Sequence, residues 1–167
     1  MLKTKKKTKS AKKAKSIKGL KGQVWVIFSK YIRMRDCLRT TGTLKHGKCI
    51  SCGDLRPINQ CDAGHLISRW YGSTLFDERN VHLQCKRCNN MGETLKYRRA
   101  IIKLYGEGID IELEDKATEI KHFTIPELEG MKKYYAEKVK ELEKGEYVSP
   151  CGESLCFSEN VVSNKLC

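Results

Sequence analysis

Two cysteine pairs constrain this chain more than any other feature. Cys49-Ile-Ser-Cys52 and Cys85-Lys-Arg-Cys88 are CxxC knuckles with 32 residues between them. Two residues between thiols let one tight turn present both sulfurs to a single ion, and two such turns complete a tetrahedron. Gly53 follows the first pair, where a knuckle turn calls for conformational freedom. Lys48, Lys86 and Arg87 flank the pairs and favour thiolates. Disulfides and a redox-active CxxC are the competing readings. The Lys-rich start has no apolar segment behind it, so no secretory signal is expected, and no βαβ pattern surrounds either pair. Structural zinc on Cys49, Cys52, Cys85 and Cys88 is therefore expected, stabilising a region too poor in apolar residues to fold unaided. Cys37 and Cys61 are read as packing residues. Cys151, Cys156 and Cys167 receive no ligand role, for want of a fourth partner.

Charge points to the partner. The chain of 167 residues has 33 Lys+Arg against 20 Asp+Glu, a net charge of +13. Ten Lys and no acid lie within residues 1–21, so the remaining 146 residues carry about +3 (13 minus 10). That segment has almost nothing to bury and is expected to be a disordered arm that tracks phosphates by releasing counterions. Such a balance disfavours a small-metabolite enzyme and favours a polyanion such as DNA. Hydrophobic residues at 40% permit a modest core, and no apolar run reaches membrane-spanning length. No membrane and no small-molecule cofactor are expected.

Periodicity organises the rest. Val24, Ile27, Phe28, Tyr31 and Ile32 recur at helical steps and predict a helix over 23–38. Residues 60–67 and 80–84 read as short strands. A helix is expected over 88–105, interrupted at Gly92, with Leu95, Ile101, Ile102 and Tyr105 buried. A weaker one is expected over 109–121. Thr124-Ile-Pro-Glu127 is a capping-box start for a last helix. Leu128, Met131, Tyr135, Val139 and Leu142 give that helix an apolar stripe, which Gly145 ends. Residues 146–167 are expected to be a flexible tail. The domain reading is an arm (1–21), a single domain (22–145) and that tail.

Between the knuckles lie Asp62-Ala-Gly-His65, Arg69, Asn80-Val-His82 and, directly after the last Cys, Asn89. This order resembles the HNH, or ββα-metal, nuclease motif with Asn in the third place. The segments FSKYIRMRD, CISCG, DAGH, FDERNVHLQCKRCN and YRRAIIKLYG extend the resemblance to the NinG (Rap) family of phage recombination proteins, over roughly residues 28–144. The fold expected is α+β: a small zinc-stapled ββα-metal core flanked by α-helices. The resemblance implies an endonuclease cutting branched DNA, such as Holliday junctions or D-loops, in the cytoplasm of a bacterial host, encoded by a phage or prophage. A homodimer matches the two-fold symmetry of a four-way junction, and the 128–142 stripe is a candidate interface. The alternative is a zinc-ribbon DNA-binding protein without catalysis.

The side chains suggest roles. His65 is the candidate general base toward water. Asn89, with Asp62 as second ligand, would hold a catalytic Mg²⁺ or Mn²⁺. Strand alternation puts Asp62 and His65 on opposite faces, and a bulge at Gly64 is expected to reunite them. Asn80 would bond loop backbone and aim His65. Arg69, His82, Lys86 and Arg87 are candidate DNA contacts. His46 and His122 are read as surface groups.

Overall fold

The structure, a computed structural model, describes residues 16–145. The Lys-rich arm up to residue 15 and the 146–167 tail, with Cys151, Cys156 and Cys167, lie outside the described residues. Helix α1 (Ile17–Thr41) begins inside the segment expected to be disordered. Ser16 caps it by accepting from the Gly19 amide at 3.2 Å. Leu20, four residues before Val24, carries the apolar stripe one turn further back and is buried. Those two local features outweigh the surrounding Lys, so residues 17–21, expected to be disordered, are helical.

A first antiparallel pair follows, β1 (His46–Lys48) with β2 (Leu55–Pro57). The turn between them carries Cys49 and Cys52. A second pair, β3 (Cys61–His65) and β4 (Val81–Cys85), is antiparallel in unbroken register: Cys61 opposes Cys85, Asp62 opposes Gln84, Ala63 opposes Leu83, Gly64 opposes His82 and His65 opposes Val81. The expected bulge at Gly64 is therefore absent. Gly64 serves a different need, because a Cβ there would lie 2.9 Å from the Gln84 Cβ. Every residue of β4 is buried, as befits a strand covered on both faces.

Helix α2 (Lys86–Met91) leaves β4 directly and stops at Gly92, whose φ of 65° suits glycine. Helix α3 (Thr94–Tyr105) follows, so the expected interruption is a true break. The stripe of α3 differs from the expected one. Tyr97 and Ile101 are buried, whereas Leu95 is 72% exposed and Tyr105 is exposed. Tyr97 wins the inner position because its hydroxyl donates to the backbone oxygens of Gly64 and Asn80, at 2.8 and 3.1 Å. Helix α4 (Ile109–Ala117) is shorter than expected, and α5 (Ile125–Lys144) has the full capping box, Thr124 with Glu127. The α5 stripe packs against α1 in one core with Val24, Phe28 and Ile32. It is thereby used up inside the chain and cannot serve as the dimer interface suggested for it.

Among the described residues the molecule is thus a mixed α+β fold, with two small sheets and five α-helices. No helix there is long and apolar enough to cross a membrane.

Candidate functional site

The two knuckles converge. The Sγ atoms of Cys49, Cys52, Cys85 and Cys88 all lie within 4.8 Å of one another. A tetrahedral zinc with Zn–S bonds of about 2.3 Å needs sulfur–sulfur edges of about 3.8 Å. The Cys52–Cys85 edge is 4.0 Å, so the quartet fits that ion. Backbone amides already point at the sulfurs: Cys85 N–H donates to Cys49 Sγ and Cys88 N–H to Cys85 Sγ, at 3.3 and 3.5 Å. The Ile50 amide donates to the Leu83 carbonyl and ties the first knuckle to β4. Four nearby cysteines could thus hold a zinc ion at the point where β4 becomes α2. Cys37 and Cys61 are buried beside the quartet and outside it.

His65 ends β3, on the face that packs toward α1. Its ring stacks on the Trp25 indole. Its Nε2 lies 3.2 Å from the Leu75 carbonyl. A carbonyl only accepts, so Nε2 carries the hydrogen and Nδ1 is left with a lone pair. Burial pushes the imidazole down to about 4, the Leu75 bond pulls the other way, and Arg69 lowers it further. The ring is therefore neutral at cellular pH.

Asp62 and Asn89 meet on the other face of β3. The Asn89 Nδ2 donates to Asp62 Oδ2 at 3.1 Å, bridging β3 to the exposed side of α2. The unbroken pleat leaves Asp62 and His65 on opposite faces, roughly 10 Å apart along the strand. So the structure joins Asp62 with Asn89 and does not join them with His65. The outer edge of β3 pairs with no strand among the described residues.

Asn80 is fully buried and latches the loop between β3 and β4. Its Oδ1 accepts from the Ile67 amide at 2.7 Å, and its Nδ2 donates to the carbonyls of Ile67 and Thr74, both at 3.0 Å. The latch fixes the segment that leads away from His65 and the one that supplies Leu75. Arg69 is exposed on this loop, its guanidinium 5.6 Å from the Trp25 ring centre.

His82 is where the structure departs most from expectation. It is 0% exposed, so the DNA contact expected of it is withdrawn. Its Nδ1 lies 3.1 Å from Asp36 Oδ2 and 3.0 Å from an Arg35 nitrogen, and its Nε2 faces the Tyr105 hydroxyl at 3.3 Å. Burial lowers its pKa against the pull of Asp36. Asp36 would be raised by burial, but Arg35, His82 and Arg39 outweigh this and hold it far below the usual carboxylate range. Sequence reading left Arg35 and Asp36 out. The signal was available, since Arg35 lies four residues after Tyr31 and Asp36 four after Ile32, on the same helical stripe.

Lys86 and Arg87 are exposed on the first turn of α2. With Arg56, Gln60 and Cys85 they line a cavity of about 290 Å³. The Arg56 Nε is buried there without a hydrogen-bond partner. Lys86 and Arg87 at this hollow make a surface suited to phosphate; Arg56, which pairs with Asp54 Oδ2 at 2.8 Å, was absent from the sequence reading.

The chain matches a family model described as "Bacteriophage Lambda NinG protein" over residues 2–146. Proteins named ninG from Escherichia phage 933W and Escherichia phage lambda are each 37% identical to it over 97 residues, covering 56% of this chain and 47% of theirs. The protein of that name from Salmonella phage P22 matches to the same extent. The chain spans about half the length of these curated relatives. No solved structure matches it. A model match over most of the chain, together with these relatives, shows that the protein belongs to the bacteriophage NinG family.

Proposed function

We propose that this chain is a metal-dependent HNH-type endonuclease that hydrolyses DNA phosphodiesters at branched recombination intermediates, such as Holliday junctions or D-loops, in phage recombination. The observation that carries this reading is His65 itself. It is a neutral imidazole with Nε2–H tied to a backbone carbonyl and Nδ1 free, set on a β-hairpin that runs straight into a helix braced by four cysteines. Nδ1 takes a proton from water as that water attacks phosphorus; the bond from phosphorus to the leaving strand oxygen breaks, and that oxygen takes a proton from solvent. A phosphate anion beside the ring raises its pKa from about 4 toward the range where a base works best. Asn80 keeps the His65 loop in place, and Asp62 and Asn89 offer oxygens to a divalent cation. When bound, Mg²⁺ or Mn²⁺ supplies charge neutralisation at phosphate oxygens. Lys86 and Arg87 extend the phosphate track. Branch preference and the setting inside a phage-infected host rest on the family alone.

The opposite facing of Asp62 and His65 favours a second reading, a zinc-stapled DNA-binding protein without catalysis. A labelled four-way junction and a linear duplex distinguish the two. Zinc-loaded protein is incubated with and without added Mg²⁺ or Mn²⁺, rather than with a chelator that would strip the cysteines. Junction nicks that need the added ion and vanish in His65→Ala support the nuclease. Tight binding with no cut under any condition transfers the function to the second reading.

A further inference from the structure

Trp70 is 94% exposed, the highest value of any large apolar side chain among the described residues, and its neighbour Tyr71 is 50% exposed. An indole left in water forgoes one of the largest burial gains a side chain can make. The loop that carries it is held. Its root is clamped by Asn80, its turn is closed by Tyr71 N–H donating to the Ser68 carbonyl at 3.1 Å, and Trp70 N–H reaches Ser68 Oγ at 3.4 Å. Gly72 sits so close to the chain at Lys121 that a Cβ would lie 3.1 Å from the Lys121 carbonyl. A fixed loop is presenting a flat aromatic face to solvent.

The surroundings say what that face takes. Arg69 precedes it in the chain, with its guanidinium over Trp25, and Trp25 in turn stacks on His65. Gly72 abuts Lys121, and the ammoniums of Lys121 and of Lys21 on α1 lie 5.5 and 5.2 Å from the Phe123 ring centre; Lys121 also pairs with Glu127. An exposed indole next in the chain to an exposed arginine, on a loop whose Gly72 abuts Lys121, matches a nucleic-acid strand, with phosphates on the cations and a base on the ring. We infer that Trp70 is a base-stacking residue that takes an unpaired or branch-point DNA base on the loop that follows His65. This rests on the proposed action on DNA and gives it a source of branch selectivity. Bases inside an intact duplex are already stacked and offer the indole no open face, whereas a junction or a single strand does.

The test uses the full chain, zinc-loaded and without added Mg²⁺, as wild type, Trp70→Ala and Trp70→Phe. The DNAs are a four-way junction with 2-aminopurine at the branch and a linear duplex of the same sequence. Trp70→Ala should weaken junction binding roughly ten- to hundred-fold, leave the duplex within about two-fold, and abolish the 2-aminopurine signal of stacking. Trp70→Phe should restore most of both. Unchanged junction affinity in Trp70→Ala, or equal losses on both DNAs, overturns the inference. Failure of the nuclease reading looks different: wild type binds and responds at the branch through Trp70, yet never cuts when Mg²⁺ is added. A wild type that binds neither DNA ends both.

Discussion

The Trp25 indole lies across the His65 imidazole, with ring centroids 5.0 Å apart and planes 25° apart. This cover is part of the burial that brings the imidazole down to about 4. In the unfolded chain the same group titrates near its ordinary value of 6.5. Between those values the unfolded chain binds the proton and the folded chain does not. Stability from this group is therefore full above pH 6.5 and lost as pH falls toward 4, by no more than about 3 kcal/mol. Trp25→Ala uncovers the ring and should move its midpoint upward. Nitrogen-detected NMR titration reads this directly, together with the Nε2–H tautomer at neutral pH. A wild-type midpoint already at 6.5 contradicts the burial argument.

Zinc content should follow the quartet and not the cysteine count. One zinc per chain is expected by elemental analysis. Serine at Cys49, Cys52, Cys85 or Cys88 should lower that figure and the thermal midpoint together. Serine at Cys37 or Cys61, which lie outside the quartet, should leave it at one. The β1–β2 pair has only Gly47 buried and is tied to α1 through Thr40 and Thr41, so a bound ion would add a second anchor. Structural zinc contributes on the order of 10 kcal/mol to such small folds at neutral pH. Full zinc loading in Cys88→Ser would dismiss the assignment.

How much of this was readable from residues alone depends on how local the signal is. The start of α5 was legible because Thr124, Pro126 and Glu127 act within one turn. The cysteine quartet was legible because CxxC spacing is itself a geometry. Strands β3 and β4 were legible to within two residues from their alternation and bounds. Strands β1 and β2 were not, since three residues carry no alternation to detect. The pleat at Gly64 was also hidden. A glycine that opens a bulge and one that clears room for Gln84 look identical in a sequence. Asp36 and His82 were missed as a pair because the contact spans 46 positions and both residue types are ordinarily found at the surface.

Asp36 holds a buried polar knot together. Its Oδ2 accepts from the Leu83 amide at 2.7 Å and faces His82, and its Oδ1 meets Arg35 and Arg39 at 2.9 and 3.0 Å. Arg35 is 3% exposed, so Asp36→Ala takes away its nearer carboxylate, leaving it Glu78 Oε2 at 3.3 Å and the Val81 carbonyl, and leaves the Leu83 amide unpaired. The expected cost is about 3–5 kcal/mol, read as a shifted urea midpoint with unchanged slope. Where the variant remains folded, its DNA affinity should match wild type, because none of these groups reaches the surface track. An Asp36→Ala chain as stable as wild type would mean the knot is not closed in solution.

Gly64→Ala reads the pleat on which the site's geometry depends. The new Cβ would fall 2.1 Å from Gln84 Oε1 and 2.9 Å from Gln84 Cβ. The amide tip can swing away, at the loss of its 2.8 Å bond to Ser51 Oγ, but the Cβ is fixed to the strand. The strands must then spread, at about 1–3 kcal/mol. Gln84→Ala should rescue little, because alanine keeps that Cβ. Gln84→Gly should rescue more, despite the entropic penalty of a second strand glycine, and a double-mutant cycle should show the coupling. If Gly64→Ala instead costs only a few tenths of a kcal/mol, the strand is bulged in solution. That would turn Asp62 toward the face of His65 and bring both halves of the candidate site to one side of β3.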